Sequence, residues 1–206
     1  NTDSLFPVLS AYASLSFAVH PDFVDLCHDL NGPVVRLYND LAVYKKNEKP
    51  RRFPWHQDNG YTVVEPQQYL TCWVALTDAT VDNGCPQVVP GLHRAGTLAH
   101  HDADPLGWEI FEEHPDAVAA PVDKGGIVVF SSLTPHLTGP NATEAVRKAY
   151  ILQYAPAGAE TLQGEPNGDG TPLRAFADDP DRQFPVLLGG EPVAVPGGRD
   201  ESSVPR

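Results

Sequence analysis

At 206 residues, with 41% hydrophobic and 20% charged residues, the chain suits one soluble globular domain with a substantial core. A net charge of −13 opposes nucleic acid and anionic membranes as partners. No apolar run approaches the roughly 18–20 residues of a membrane span. Cys27, Cys72 and Cys85 are an odd number without CxxC spacing, which argues against a disulfide framework and a zinc knuckle. The first ten residues lack the basic and apolar regions of a leader, so a cytoplasmic setting is expected.

Helix signals come first. Pro21 opens a segment in which Phe23, Val24, Leu26, Cys27 and Leu30 recur at helical spacing, and Asn31-Gly32 closes it. From Val34 the pattern changes to short β-branched and aromatic runs at residues 34–38, 41–44, 61–65, 69–77, 87–89, 126–131 and 148–154. A second short helix is expected from Asp104-Pro105 to His114-Pro115. Many short strands with turn-rich connections indicate an all-β sandwich or barrel. Residues 69–77 are apolar on both faces, as a central strand covered on both sides should be. Beyond Pro156 the chain turns rich in proline and glycine and loses periodicity. Residues 157–206 therefore read as an extension wrapping the barrel, with 184–188 as one anchored strand.

The chemistry centres on Trp55-His56-Gln57-Asp58. On extended backbone, side chains at i and i+2 share a face, so His56 and Asp58 can converge on one ion. The strand at 126–130 then delivers Ser131-Ser132-Leu133-Thr134-Pro135-His136, which puts a second imidazole at a strand end. Two imidazoles and one carboxylate brought together in this way are a natural ligand set for one metal ion. Arg147 opens the apolar strand at 148–154, where a cation is rare unless paired, and its planar fork suits a carboxylate. A second H-x-D, His100-His101-Asp102, lies in a polar stretch without strand signals and reads as a solvated loop.

In order, these features are Trp-His-Gln-Asp, the run from Thr71 to Gly84, Val89-Pro90-Gly91-Leu92-His93, a glycine-led strand, Pro135-His136 and Arg147. The pattern resembles the phytanoyl-CoA dioxygenase family over roughly residues 34–156. The resemblance implies a mostly β, double-stranded β-helix (jelly-roll, cupin-like) core with a few flanking helices. It also implies Fe(II), 2-oxoglutarate as co-substrate and O₂, with ascorbate supporting turnover in vitro. By position, His56, Asp58 and His136 become the iron ligands and catalytic centre. Arg147 becomes the clamp on the distal carboxylate of 2-oxoglutarate, assisted by Thr138. One departure is that the Pro-Gly-Ser-His of relatives reads Pro90-Gly91-Leu92-His93 here.

Other positions stay open. Thr71 and Trp73 share strand parity and either fill the core or face the co-substrate. Tyr44 and Lys45 lie where relatives place a 2-oxoglutarate contact, but their side chains point opposite ways. Tyr61 is a candidate for substrate contact. The loop from Lys45 to Arg52 carries five of the 14 basic residues and either rims the mouth, attracting an anionic small-molecule substrate, or merely carries charge. The expected activity is hydroxylation of a small molecule with release of succinate and CO₂. The alternatives are a zinc hydrolase using the same His-Asp-His set and a jelly-roll binding protein without turnover.

Overall fold

The computed structural model describes residues 15–48, 51–67, 69–163, 171–180 and 182–194. The helix Pro21–Asn31 forms as its sequence requires: Pro21 sits in the first turn and Gly32, at φ +91°, ends it. The strands of the first half are β1 (Val35–Lys45), β2 (Phe53–His56), β3 (Val64–Glu65), β4 (Leu70–Ala75) and β5 (Pro86–Val88). Then come β6 (His101–Asp102), β7 (Trp108–Glu109), β8 (Val118–Ala119), β9 (Ile127–Ser131) and β10 (His136–Thr138). The last are β11 (Arg147–Pro156), β12 (Glu160–Gln163), β13 (Leu173–Phe176), β14 (Pro185–Leu188) and β15 (Glu191–Pro192).

A six-stranded sheet in the order β15-β14-β1-β11-β4-β9 faces a four-stranded sheet in the order β2-β10-β5-β8. Side chains from both line one cavity, which is the jelly-roll arrangement expected. The central strand β4 is buried along its whole length. Leu70, Cys72 and Val74 pack with Phe23, Val24 and Cys27 of the helix and with Val35, Leu152 and Leu187, forming the largest apolar cluster. Thr71 and Trp73 alternate to the other face and line the cavity, and Ala75 on that face packs with Trp73 in a second apolar cluster. Among the described residues, no helix is long and apolar enough to cross a membrane.

Two expected strands, 34–38 and 41–44, are one continuous strand with a register shift between Leu37 and Asn39. The polar Asn39-Asp40 pair that suggested a turn is bonded across the sheet instead. Asn39 donates to Gln153 Oε1 at 3.0 Å, and Tyr150 donates to Asp40. The helix expected from Asp104 to His114 does not form. A tight connection, with Gly107 at φ +100° and the Ala103 amide bonded to the Gly107 carbonyl, returns the chain as the hairpin β6–β7. The strand expected at 61–65 is shortened to β3 because Tyr61 ends a helical turn, Asp58–Tyr61. The C-terminal extension is integrated into the sheets: β12 pairs with β3, and β14, which falls within the anchored strand expected at 184–188, pairs with β1. Residues 164–170, 181 and 195–206 of that extension lie outside the described residues.

Candidate metal centre and co-substrate pocket

His56 ends β2 and His136 begins β10, and the two are direct cross-strand partners. Their ring centroids lie 4.1 Å apart. Each imidazole uses Nδ1 toward a backbone carbonyl two residues earlier: His56 to Pro54 at 2.8 Å, His136 to Thr134 at 2.9 Å. A carbonyl only accepts, so each Nδ1 carries the proton and each Nε2 presents a lone pair. Both Nε2 atoms lie 3.6 Å from Asp58 Oδ1. These three side chains would together hold one metal ion. The other carboxylate oxygen, Oδ2, accepts a 2.7 Å bond from Thr71 Oγ1, which turns Oδ1 toward the histidines. Among the described residues this is the one cluster of three suited to a metal.

The electrostatics fit a cation. Burial works to raise the Asp58 pKa, but His136, His56 and the Thr71 hydroxyl outweigh it and hold the carboxyl well below its ordinary range. Burial and the neighbouring His56 push His136 down to about 4, so its ring is neutral near pH 7.

The loop carrying Asp58 is held by a set of hydrogen bonds from its neighbours Gln57 and Asn59. The Gln57 side chain donates to the Gly96 and Leu133 carbonyls, at 2.9 and 2.6 Å, and accepts from the Leu98 amide at 2.7 Å. Asn59 accepts from the Val64 amide and donates to Thr97 Oγ1, both at 2.9 Å. His100, read from sequence as part of a solvated loop, belongs to this support. Its Nε2 accepts the Gln57 amide at 3.1 Å, and its Nδ1 donates to the Leu98 carbonyl at 2.9 Å. Gly60 makes room for that ring, since a Cβ there would lie 2.0 Å from His100 Cε1. His101 and Asp102 are exposed, as expected, but they form strand β6 of a hairpin rather than a loop.

Beside Trp73 and Lys45, which line one end of the cavity, Arg147 is 1% exposed, and its Nε and both terminal nitrogens have no hydrogen-bond partner among the described residues. Its guanidinium lies over the Trp73 ring, 5.1 Å from the centroid. Lys45 is its cross-strand partner. The Lys45 ammonium donates to the Thr138 carbonyl and Oγ1, each at 3.0 Å, and to the Gly139 carbonyl. Burial and the adjacent Arg147 depress Lys45 to about 8. Two cations thus meet here without a carboxylate facing them among the described cavity-lining residues nearby. A chelating acid carrying a second carboxylate fits this end.

The remaining positions separate clearly. Thr71, Trp73 and Thr138 line the cavity, whereas Tyr44 does not: it is 62% exposed on the outer face, and its neighbour Lys45 points inward. Tyr61 lines the cavity with its ring 5.3 Å from that of His56. In the basic loop, Arg52 is committed to an ion pair with the buried Glu109, so it belongs to the scaffold. Lys49 lies outside the described residues. Sequence reasoning missed Gln57, His100, Gly60 and Lys45's inward direction. Of these, only Gly60 beside the motif carried a visible signal.

A family profile described as phytanoyl-CoA dioxygenase (PhyH) matches residues 11–149. The peroxisomal phytanoyl-CoA dioxygenase of Homo sapiens is 29% identical over 150 residues, covering 66% of this chain and 44% of that protein. The chain thus spans about half the length of such curated relatives. Among solved structures, the epimerase SnoN, in complex with Fe³⁺, α-ketoglutarate and nogalamycin RO, aligns with a TM-score of 0.66 at 25% identity, covering 82% of this chain and 72% of that one. EvdO2 from Micromonospora carbonacea var. aurantiaca, complexed with 2-oxoglutarate, aligns at 0.60 and 27% identity, covering 77% and 69%. With a profile match spanning most of the chain and the metal-binding arrangement in place, this chain belongs to the phytanoyl-CoA dioxygenase (PhyH) family.

Proposed function

We propose that the protein is an Fe(II)- and 2-oxoglutarate-dependent dioxygenase that hydroxylates a small molecule, releasing succinate and CO₂. The observation that carries this reading is Arg147, a buried guanidinium with no hydrogen-bond partner among the described residues, set beside Trp73 and Lys45 of a cavity that also holds a His-Asp-His cluster. Leaving a charge buried and unpaired costs several kcal/mol, so its retention implies an anion from outside the chain.

His56, Asp58 and His136 would hold the iron, and Arg147 with Thr138 and Lys45 would hold the distal carboxylate of 2-oxoglutarate. Bound iron supplies the activation of O₂ and the oxidation of a substrate C–H bond, with 2-oxoglutarate as the two-electron reductant. The chain's own residues prepare the site. The carbonyls of Pro54 and Thr134 fix both imidazole tautomers, and Thr71 turns Asp58 so that one oxygen faces the histidines. Trp73 covers the guanidinium and keeps water from it. The cavity, about 550 Å³, accommodates both an oxo acid and a substrate. Three buried free cysteines support a reducing compartment, the cytoplasm in this reading.

A zinc hydrolase would use the triad but leave Arg147 without purpose, and a binding protein would have no need of the triad. Fe(II) followed by 2-oxoglutarate, added without oxygen, is expected to produce a weak visible charge-transfer band that His136→Ala lacks. Its absence from the wild-type protein at saturating metal and acid would refute the proposal.

A further inference from the structure

The cavity continues past the metal cluster, away from Arg147. Thr71, which bonds Asp58, pairs with Gln153, six residues along β11 from Arg147. On β1, Asn39 sits beside Gln153, and Tyr38 lies at the opposite end of the lining from Lys45. Those two positions are seven residues apart, roughly 20 Å of strand. The Tyr38 end is closed by Tyr69, whose ring centroid is 5.2 Å from that of Tyr38, by Thr62, and by Arg182 of the C-terminal extension.

Arg182 is delivered there by specific contacts. Gln183, buried beside it, accepts the Arg36 guanidinium at its carbonyl (2.9 Å) and the Asp179 amide at its side chain (2.9 Å). The Phe184 carbonyl accepts the Leu37 amide at 2.8 Å, which ties the segment to β1. The one ion pair of Arg182 among the described residues is a long one, Nε to Asp179 at 3.8 Å. Burial raises the Tyr38 hydroxyl, and Arg182 is the largest influence opposing it, so the guanidinium acts on the cavity wall. Asp58 is the only carboxylate on the described wall, and it is turned to the histidines. The segment also lies beyond the residues shared with the family profile.

Resting on the oxygenase reading above, we infer that Arg182 is a specificity-determining residue that holds an oxyanion, carboxylate or phosphate, of the primary substrate. The oxyanion then lies on the side of the metal cluster opposite the co-substrate clamp. Beside the metal cluster the same cavity is lined by Phe53 and Tyr61, with rings 4.7 and 5.3 Å from that of His56, so the body of that substrate is apolar or aromatic. A planar fork reads either oxyanion in two-point contact, which an amide or ester cannot match.

The test uses ω-phenylalkanoates of graded length, the matched phosphonates and the matched primary amides. Each is titrated into the whole chain, alone and loaded with Mn(II) and 2-oxoglutarate, where no turnover occurs. At low salt at least one oxyanion is expected to bind about tenfold or more tighter than its amide. Arg182→Gln should erase that preference and Arg182→Lys should retain part of it, while the affinity for 2-oxoglutarate stays unchanged in both. Equal binding of acid and amide, no binding by any member, or a preference that survives Arg182→Gln overturns the inference. Loss of 2-oxoglutarate binding in the wild-type protein is read separately and counts against the oxygenase reading instead.

Discussion

The two halves of the active cavity are built on opposite terms. Around His56, Asp58 and His136, each atom not needed for a metal is bonded within the chain: two Nδ1 atoms to carbonyls and one carboxylate oxygen to Thr71. Around Arg147, three buried nitrogens have no hydrogen-bond partner among the described residues, and the guanidinium rests on the Trp73 ring. The first region is preorganised, and ordering it adds little to the cost of metal binding. The second stores an unfavourable electrostatic term that only an incoming anion relieves. The contrast teaches that a candidate metal site and a candidate anion site in one fold need not share a stability logic. One is satisfied before ligand arrives, and the other is held in deficit by the surrounding fold.

The largest effect should come from the triad itself. His136→Ala or Asp58→Ala is expected to abolish stoichiometric Fe(II) binding and all coupled succinate release, measured by metal analysis and product assay. Arg147→Met comes next, because loss of a buried two-point charge contact costs about 2–5 kcal/mol. The KM for 2-oxoglutarate should rise by roughly tens- to thousands-fold, with iron binding little changed.

Gly60→Ala probes the support of the preorganised half. A Cβ 2.0 Å from His100 must displace that ring and release the Gln57 amide beside Asp58. Iron affinity should fall by about 10–100-fold, the usual cost of losing an outer partner. An unchanged metal titration would show that His100 does not position the motif.

The smallest effect is a pH dependence from Lys45, depressed to about 8 by burial and Arg147. A bound carboxylate favours the charged ammonium, so binding 2-oxoglutarate takes up a proton once the pH exceeds that value. Affinity should therefore be level below pH 8 and weaken above it, by about tenfold at most between pH 8 and 9. Lys45→Met should flatten the profile, and titrations at three pH values decide it.

How much of this was legible depended on local signals. His56, Asp58, His136 and Arg147 stood out because each adjoins a strong strand pattern, where a polar or charged group needs a reason. The central strand was legible from its unbroken apolar run at 69–77. The choice between Tyr44 and Lys45 was not, because the register shift after Leu37 resets which residues face inward. Alternation counted from Val35 therefore gives the wrong face. His100 was hidden for another reason: its partners, Gln57 and Leu98, meet it only once the loop has closed over Gly60. Arg182 sits in a proline-rich stretch without periodicity, and nothing local marks it as part of a cavity wall.

The contrast between the two halves is tested most directly by thermal unfolding of the wild-type and Arg147→Met proteins, each with metal and with or without 2-oxoglutarate. Removing an unpaired buried charge in favour of an apolar side chain of similar length is neutral or stabilising. Without 2-oxoglutarate, Arg147→Met should therefore unfold at the same temperature as the wild type or a higher one. Added 2-oxoglutarate should raise the wild-type midpoint and leave that of the variant unmoved. A variant that unfolds well below the wild type yet is still protected by 2-oxoglutarate would contradict the claim, and would make Arg147 a structural residue.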